Sequence, residues 1–149
     1  MNRLALMGCA AALLSVALRG GAQQQGAMAG AHAPEQGLPH GDLDHGRYIV
    51  HDVAMCVECH SGRDGEGNII AEREFMGAPI PVRPSWGYDW AVRAPRNAGL
   101  PGYDDAQAMR LLTEGAIDRD GNQLRPPMPR FHMTRQDAAD VIAYMRTLK

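Results

Sequence analysis

The clearest alternation of apolar and polar positions lies at the end of the chain. Thr134-Arg135-Gln136-Asp137 approximates a capping box, which predicts that a helix begins at Thr134. The apolar residues that follow recur every three or four positions, so they form one stripe on a helix and predict that this stripe packs against a core. They are Ala138, Val141, Ile142, Met145 and Leu148.

Two earlier segments share this helical period. Residues 44–56 carry small and apolar residues at three- and four-residue steps, which predicts a helix that leads directly into the cysteine motif described below. Residues 104–114 predict a shorter helix, because acidic residues occupy its first turn and Gly115 is placed to end it. The patterns together predict an all-α domain with three to four short helices.

Long loops separate these helices. Residues 61–68 and 118–122 are rich in Gly, Asp and Asn, which predicts tight turns rather than complete phosphate or calcium loops. Residues 76–101 contain five prolines and cannot form a regular helix or a central strand. Three aromatic residues in this segment either pack on a flat bound group or cap the core. They are Trp86, Tyr88 and Trp90.

The N-terminal segment has the layout of a secretory signal peptide. Residues 1–22 run from a basic start through an apolar stretch to small residues that suit cleavage before Gln23. The apolar stretch is short for a membrane span, and retention as an uncleaved anchor is the alternative. Residues 23–41 are rich in Gln, Gly, Ala and Pro and predict a flexible linker, which leaves residues 42–149 as the folded domain. We therefore expect a periplasmic or exported protein, on the outer face of the cytoplasmic membrane if it is anchored.

Charge and composition limit the kinds of binding partner that we expect and the size of the hydrophobic core. Lys+Arg 15 against Asp+Glu 17 gives a net charge of -2, and the domain is more acidic because two arginines lie in the leader. Lys149 is the single lysine, so we expect no basic patch and no nucleic-acid binding. Aromatic residues make up only 5% of the chain, which predicts a small core that a bound apolar group would complete.

Cys56-Val57-Glu58-Cys59-His60 has the spacing of an attachment site for covalent c-type haem. Two thiols three positions apart lie on one side of a helical turn, where both can reach one porphyrin, and His60 follows as the proximal iron ligand. A redox Cys-x-x-Cys would need a thioredoxin-like βαβ context, which the sequence lacks. A structural zinc site would need a second ligand pair, and the third cysteine, Cys9, lies in the leader.

The other histidines are predicted to be exposed to solvent. His32 and His40 belong to the linker, and His45 follows closely. Scattered histidines of this kind are usually solvated rather than bound to a metal. His51 lies on the predicted first helix, and we expect it on the surface.

A haem iron with one histidine needs either a second protein ligand or an open position. Met128 stands in the stiff segment Arg125-Pro126-Pro127-Met128-Pro129-Arg130, which predicts that its thioether is that second ligand. Met76 and His132 are the reserve candidates. Four other methionines have structural explanations, either on buried helical stripes or beside the motif or a cap. They are Met55, Met109, Met133 and Met145.

These segments together resemble a class I monohaem cytochrome c, closest to the small cytochromes and cytochrome domains that serve periplasmic dehydrogenases. The matching segments are Gly46-Arg47-Tyr48-Ile49-Val50, the cysteine motif, Pro126-Pro127-Met128-Pro129 and the final helix ending Ala143-Tyr144-Met145-Arg146-Thr147-Leu148. The resemblance implies a cytochrome c fold around one haem c bound through Cys56 and Cys59, with long Pro/Gly-rich loops. It also implies that the first and last helices cross near Gly46 and Tyr144, and that the Pro95 carbonyl accepts the second ring N–H of His60.

The resemblance implies a one-electron carrier of the bacterial cell envelope rather than an enzyme. Its partners would be a redox donor such as a periplasmic dehydrogenase and an acceptor such as a terminal oxidase or another cytochrome, with membrane contact only if the leader is retained. A haem enzyme or gas sensor with an open axial site, and a subunit of a larger respiratory or dehydrogenase complex, are the alternatives. Acidic residues crowd residues 42–74, which predicts docking steered by a charge dipole.

Overall fold

A computed structural model describes residues 37–85 and 89–149. The predicted leader, residues 1–22, and most of the predicted linker lie outside these described residues, as do Trp86 and Tyr88. Within the described ranges, no helix is both long and apolar enough to cross a membrane.

The described ranges contain four α-helices, and their order agrees with the prediction of a small helical domain. Short non-α segments separate them: a π-helical stretch, Ile49–Val53, and a single 3₁₀ turn, Ala71–Arg73. In chain order the helices are α1, Leu43–Tyr48; α2, Cys56–His60; α3, Asp105–Thr113; and α4, Arg135–Thr147.

The predicted helix over residues 44–56 is confirmed as far as Val53, but its predicted continuation into the cysteine motif is wrong. After α1 the backbone widens into the π-helical stretch, in which the Ala54 N–H donates to the Ile49 carbonyl at 2.7 Å. Met55 then adopts a left-handed conformation, with φ at 51°, and ends the run. Because a left-handed residue redirects the chain, α2 begins at Cys56 as a separate helix.

The contact between α1 and α4 depends on Gly46. A Cβ atom at this position would overlap the carbonyl oxygen of Asp140 and would lie 2.9 Å from the Cβ of Tyr144. Only a residue without a side chain lets the two backbones approach this closely. The predicted crossing of the first and last helices near Gly46 and Tyr144 is confirmed.

Polar side chains fix the same contact. Asp140 is 2% exposed although it lies within the apolar stripe of α4. Its carboxylate accepts hydrogen bonds from the Asp42 N–H at 2.7 Å, from His45 Nδ1 at 2.7 Å and from Gln136 Nε2 at 2.8 Å. His45 is exposed, as predicted, but the prediction missed the hydrogen bond between its ring and the buried Asp140 carboxylate.

The prediction that His51 lies on the surface is wrong. Its side chain is only 18% exposed and bridges two elements, with Nε2 3.2 Å from the Tyr144 hydroxyl and Nδ1 3.3 Å from the Glu74 carboxylate. The ring also meets Phe75 edge-on, with centroids 5.3 Å apart. His51 thus joins the π-helical stretch to α4 and to the loop before residue 76.

The cap of α4 is as predicted, and Met109 and Leu112 of α3 are buried as expected, whereas Ala106, which was expected inside, is exposed and Ala108 is buried in its place. Asp104 and Gln107 form a reciprocal capping box at the start of α3. Thr134 caps α4 by accepting the Asp137 N–H. Ala138, Val141, Ile142 and Met145 of the α4 stripe are buried, whereas Leu148 is partly buried.

The two predicted turns share one hydrogen-bonding scheme. Asp64 Oδ1 accepts the N–H groups of Glu66 and Asn68 at 2.9 and 2.8 Å. Asp118 Oδ1 accepts the N–H groups of the residues two and four positions later, at 2.9 and 2.7 Å. Each turn is therefore closed by its own first side chain.

The proline-rich segment forms a minimal hairpin. β1, Ala78–Pro79, pairs antiparallel with β2, Arg93–Ala94, and Ala78 lies opposite Ala94. The Ile80 N–H extends the pairing by donating to the Val92 carbonyl at 3.0 Å. Trp90 is half-buried and donates its indole N–H to the Val82 carbonyl at 3.1 Å, so it braces the hairpin loop.

Candidate functional site

One cavity of about 660 Å³ brings together the five residues predicted to hold the haem, namely Cys56, Cys59, His60, Pro95 and Met128. Residues of α2, of the hairpin and the segment after it, and of the loop around Met128 all line this cavity. Apolar side chains from α3 and α4 close the back, among them Leu112, Val141 and Ile142. The volume lies within the range of cavities that hold organic ligands and cofactors.

The two motif cysteines stand on the α2 wall. Both are free thiols and half-buried, so neither is engaged in a disulfide. Burial raises the pKa of the Cys56 thiol to about 11. Cys56 is therefore a protonated, apolar-facing thiol at neutral pH, unlike the low-pKa cysteine of a redox Cys-x-x-Cys site.

His60 is 8% exposed and is held by the segment that follows β2. Its Nδ1–H donates to the Pro95 carbonyl at 2.7 Å, so the hydrogen bond that the resemblance implies is present. Burial lowers the pKa of His60 and outweighs the opposing effect of the Pro95 carbonyl, which keeps the ring neutral. With Nδ1 engaged, Nε2 is the nitrogen that can bind a metal.

Met128 lines the cavity between Pro127 and Pro129, which line it as well. Its N–H donates to the Arg125 carbonyl at 3.3 Å, closing a turn that presents the side chain. Among the described residues around the cavity, neither reserve candidate, Met76 or His132, is present.

The structural explanations given for Met109 and Met145 agree with their positions. Met109 and Met145 are buried within the core, as their helical stripes predict. Met55 differs, because the left-handed backbone turns it toward the cavity, where it forms part of the wall while staying half exposed. Met55 thus lies beside the motif, as predicted, but the prediction missed that it lines the cavity.

Several polar groups in the cavity fit a large apolar group that carries acidic substituents. Arg93, Arg96 and Arg125 line the cavity and could pair with carboxylates there. Asn97 also lines it, and its Oδ1 atom is buried with no hydrogen-bond partner in the described chain. A buried polar atom without a partner is costly, which is consistent with a site completed by a bound group.

Sequence reasoning did not identify these four residues. The arginines are spread over residues 93–125, and their separation along the chain hides the fact that they line one cavity. The backbone contact that joins them is the hydrogen bond from the Ala91 N–H to the Pro126 carbonyl at 2.7 Å. The sequence offered only a weak indication that these residues belong to the site: the arginines lie beside the proline-rich segments, in a chain with a single lysine.

The comparison with curated proteins finds no match. The family model for cytochrome c matches residues 43–149, which include α1 to α4, the cysteine motif and the Met128 loop. This match agrees with the helical fold and with the donor set of the cavity, and it confirms the resemblance to a class I cytochrome c. The chain belongs to the cytochrome c family, whose members transfer electrons through covalently bound c-type haem.

Proposed function

We propose that this protein is a one-electron carrier of the bacterial cell envelope with a single c-type haem, bound by Cys56 and Cys59 and ligated by His60 and Met128. One observation carries the proposal: a single cavity collects the two thiols, a neutral buried imidazole and a thioether. Imidazole and thioether form the ligand pair of electron-transferring c-type haem.

Each residue has a distinct part in this proposal. The thiols would hold the group covalently, and His60 and Met128, which both line the cavity, would bind its iron. The Pro95 carbonyl orients the His60 ring and fixes the tautomer whose Nε2 is free. Bound haem supplies a one-electron oxidation and reduction.

The predicted leader supports the location and the partners in this proposal. A signal peptide over residues 1–22 would export the chain to the compartment where periplasmic dehydrogenases act. We propose such a dehydrogenase as the donor, and a terminal oxidase or another cytochrome as the acceptor. With both axial positions filled by side chains, the protein would transfer electrons without converting a substrate of its own.

Absorption spectra of the purified protein, oxidised and reduced, test the assignment directly. We expect c-type haem bands in a stoichiometry of one per chain, and colour that stays with the protein after acid-acetone extraction. The Cys56→Ser, Cys59→Ser double variant should lose the group on extraction. Haem that extracts freely from the wild-type protein would contradict covalent attachment.

Met128→Ala tests the second ligand. We expect it to abolish the charge-transfer band of sulfur-ligated ferric haem and to open the reduced iron to carbon monoxide. Met76→Ala and His132→Ala are the matched controls and should leave both properties as in the wild type. Rapid carbon monoxide binding by the wild-type protein would favour a haem enzyme or gas sensor.

A further inference from the structure

The segment around Phe75 makes contacts on two sides of the proximal histidine. Phe75 is 1% exposed and has φ at 58°, the left-handed region that a large side chain seldom adopts. A strained residue of this kind persists where the surrounding structure holds it in place. Three hydrogen bonds to its backbone do so here.

The first bond connects Phe75 to the residue after the motif. The Phe75 N–H donates to Ser61 Oγ at 3.1 Å, and Ser61 is itself 1% exposed. Ser61 follows His60 directly, so this bond fixes the loop over residues 62–74 against the end of α2. It is a buried contact between a backbone group and a side chain, and removal of the hydroxyl would leave the N–H without a partner.

The other two bonds connect Phe75 to the segment that contains Pro95. The Phe75 carbonyl accepts the N–H groups of Asn97 and Ala98 at 3.0 and 3.1 Å. On its other side, Pro95 follows Ala94, which is held by strand pairing with Ala78. The Pro95 carbonyl is therefore held from both directions.

His60 has its own link to this assembly. The Gly77 N–H donates to the His60 carbonyl at 2.8 Å, two residues after Phe75 and one before β1. The backbone of His60 and the carbonyl that accepts its ring N–H are thus anchored to one short stretch, residues 75–78. A shift of that stretch would change the hydrogen bond between His60 Nδ1 and Pro95.

We propose that Ser61 and Phe75 are positioning residues that set the strength of the His60–Pro95 hydrogen bond, and through it the midpoint potential of the protein. We call the hydrogen bonds among Ser61, Phe75, Asn97 and Ala98 the Phe75 bracket. The inference rests on the proposed function, since it requires His60 to be an iron ligand.

The direction in which the midpoint potential changes follows from the chemistry of imidazole. A strong hydrogen bond from Nδ1 to a carbonyl makes the ring a better electron donor at Nε2. A better donor favours the more positively charged, oxidised state of a bound iron. A loosened bracket weakens that hydrogen bond and should therefore raise the midpoint potential.

Ser61→Ala and Ser61→Thr form the test pair, measured on the holoprotein by spectroelectrochemical titration. At the wild-type midpoint, the ratio of reduced to oxidised protein should rise severalfold in Ser61→Ala. It should stay near one in Ser61→Thr, which retains the hydroxyl. Amide hydrogen exchange at Phe75, Asn97 and Ala98 should be faster in Ser61→Ala only.

Thr134→Ala is the control that distinguishes a specific effect on the position of His60 and Pro95 from a general loss of stability. It removes the cap of α4, which weakens the fold without a contact in the Phe75 bracket. We expect its midpoint potential to match the wild type. An equal shift in Thr134→Ala, an equal shift in Ser61→Thr, or no shift in a fully loaded Ser61→Ala would each overturn the inference.

Phe75→Leu is the second variant if Ser61→Ala does not fold. It keeps the backbone donors and acceptors but removes the ring that packs against His51, and we expect a smaller upward shift. An unchanged or lowered potential in this variant would also overturn the inference. Failure of the proposed function looks different, because the wild-type protein itself would then lack a covalent haem with a His60-dependent potential.

Discussion

Gly77 lets the backbone before β1 pack directly against the backbone of Pro95 and Arg96, beside His60. Its φ is 82°, and a Cβ atom there would lie 2.7 Å from the Arg96 nitrogen and 2.9 Å from the Pro95 carbonyl carbon. Gly77→Ala would add conformational strain and a clash with backbone atoms. We expect it to lower the free energy of unfolding by about 2 kcal/mol or more, measured by chemical denaturation.

Gly67→Ala is a matched control for the strain alone. Gly67 has a similar φ of 93°, but a Cβ atom there would meet nothing within 4 Å. We expect a loss of about 1 kcal/mol, from conformation without a clash. Equal losses in the two variants would show that the close passage at Gly77 carries no cost of its own.

The sequence reveals the residues of this site that act through distinctive side chains. Cys56, Cys59 and His60 form a recognisable spacing, and Met128 stands out because prolines surround it. Pro95 was implied only by resemblance, since a carbonyl oxygen leaves no mark on residue type. The Phe75 bracket had no signal at all, because most of its bonds are between backbone atoms far apart in the chain.

At the scale of elements, the polar contacts between α1 and α4 should make stability depend on pH. The hydrogen bond with Asp140 is the main cause that raises the pKa of His45 above 6.5. Burial works to raise the pKa of Asp140, but hydrogen bonds from His45, Asp42 and Gln136 outweigh it and lower that pKa below 3.8. A protonated His45 is thus favoured in the folded state.

His45→Gln tests this dependence. For a raised histidine pKa, the stabilisation is complete below pH 6.5 and is lost as the pH rises through the folded-state value. We therefore expect wild-type stability to fall over that interval and the fall to be reduced in His45→Gln. Denaturation at a series of pH values measures both, with His40→Gln as the control that keeps the wild-type slope. An identical slope in His45→Gln would contradict the assignment.

The elements themselves were predictable where local signals mark their ends. The capping signal at Thr134 located the start of α4, and the acidic first turn and Gly115 located α3, each to within a residue or two. The end of the first predicted helix was placed too late, because the apolar period continues unbroken through the left-handed Met55. Asp140 shows a second limit, since a carboxylate inside an apolar stripe signals a buried partner but does not say that the partner is His45.

At the scale of the whole molecule, opposite charges lie close to one another. Residues 42–74 carry eight of the 17 acidic residues, and one of these, Glu58, is paired with Arg63. The cavity has three arginines in its wall, of which Arg125 is paired with Asp89 at 3.0 Å. Exposed pairs of this kind weaken any single strong patch.

This distribution predicts a weak dependence of electron transfer on salt. We expect oxidation of the reduced protein by hexacyanoferrate(III), an anion, and by tris(phenanthroline)cobalt(III), a cation, to change by less than about tenfold between low and physiological ionic strength. Stopped-flow mixing measures both rates. A steep fall with one reagent alone would reveal a dominant patch of the opposite charge.

The contact between α1 and α4 also sets the order in which this chain can fold. The hydrogen bond from Asp42 to Asp140 joins residues 98 positions apart, so it forms only after nearly the whole domain has been synthesised. α4 supplies part of the wall behind the motif, through Val141 and Ile142. Closing so long a loop is slow as well as late. Until it closes, the wall behind Cys56 and Cys59 is incomplete, so we expect both thiols to be more accessible in the unfolded chain than in the folded domain.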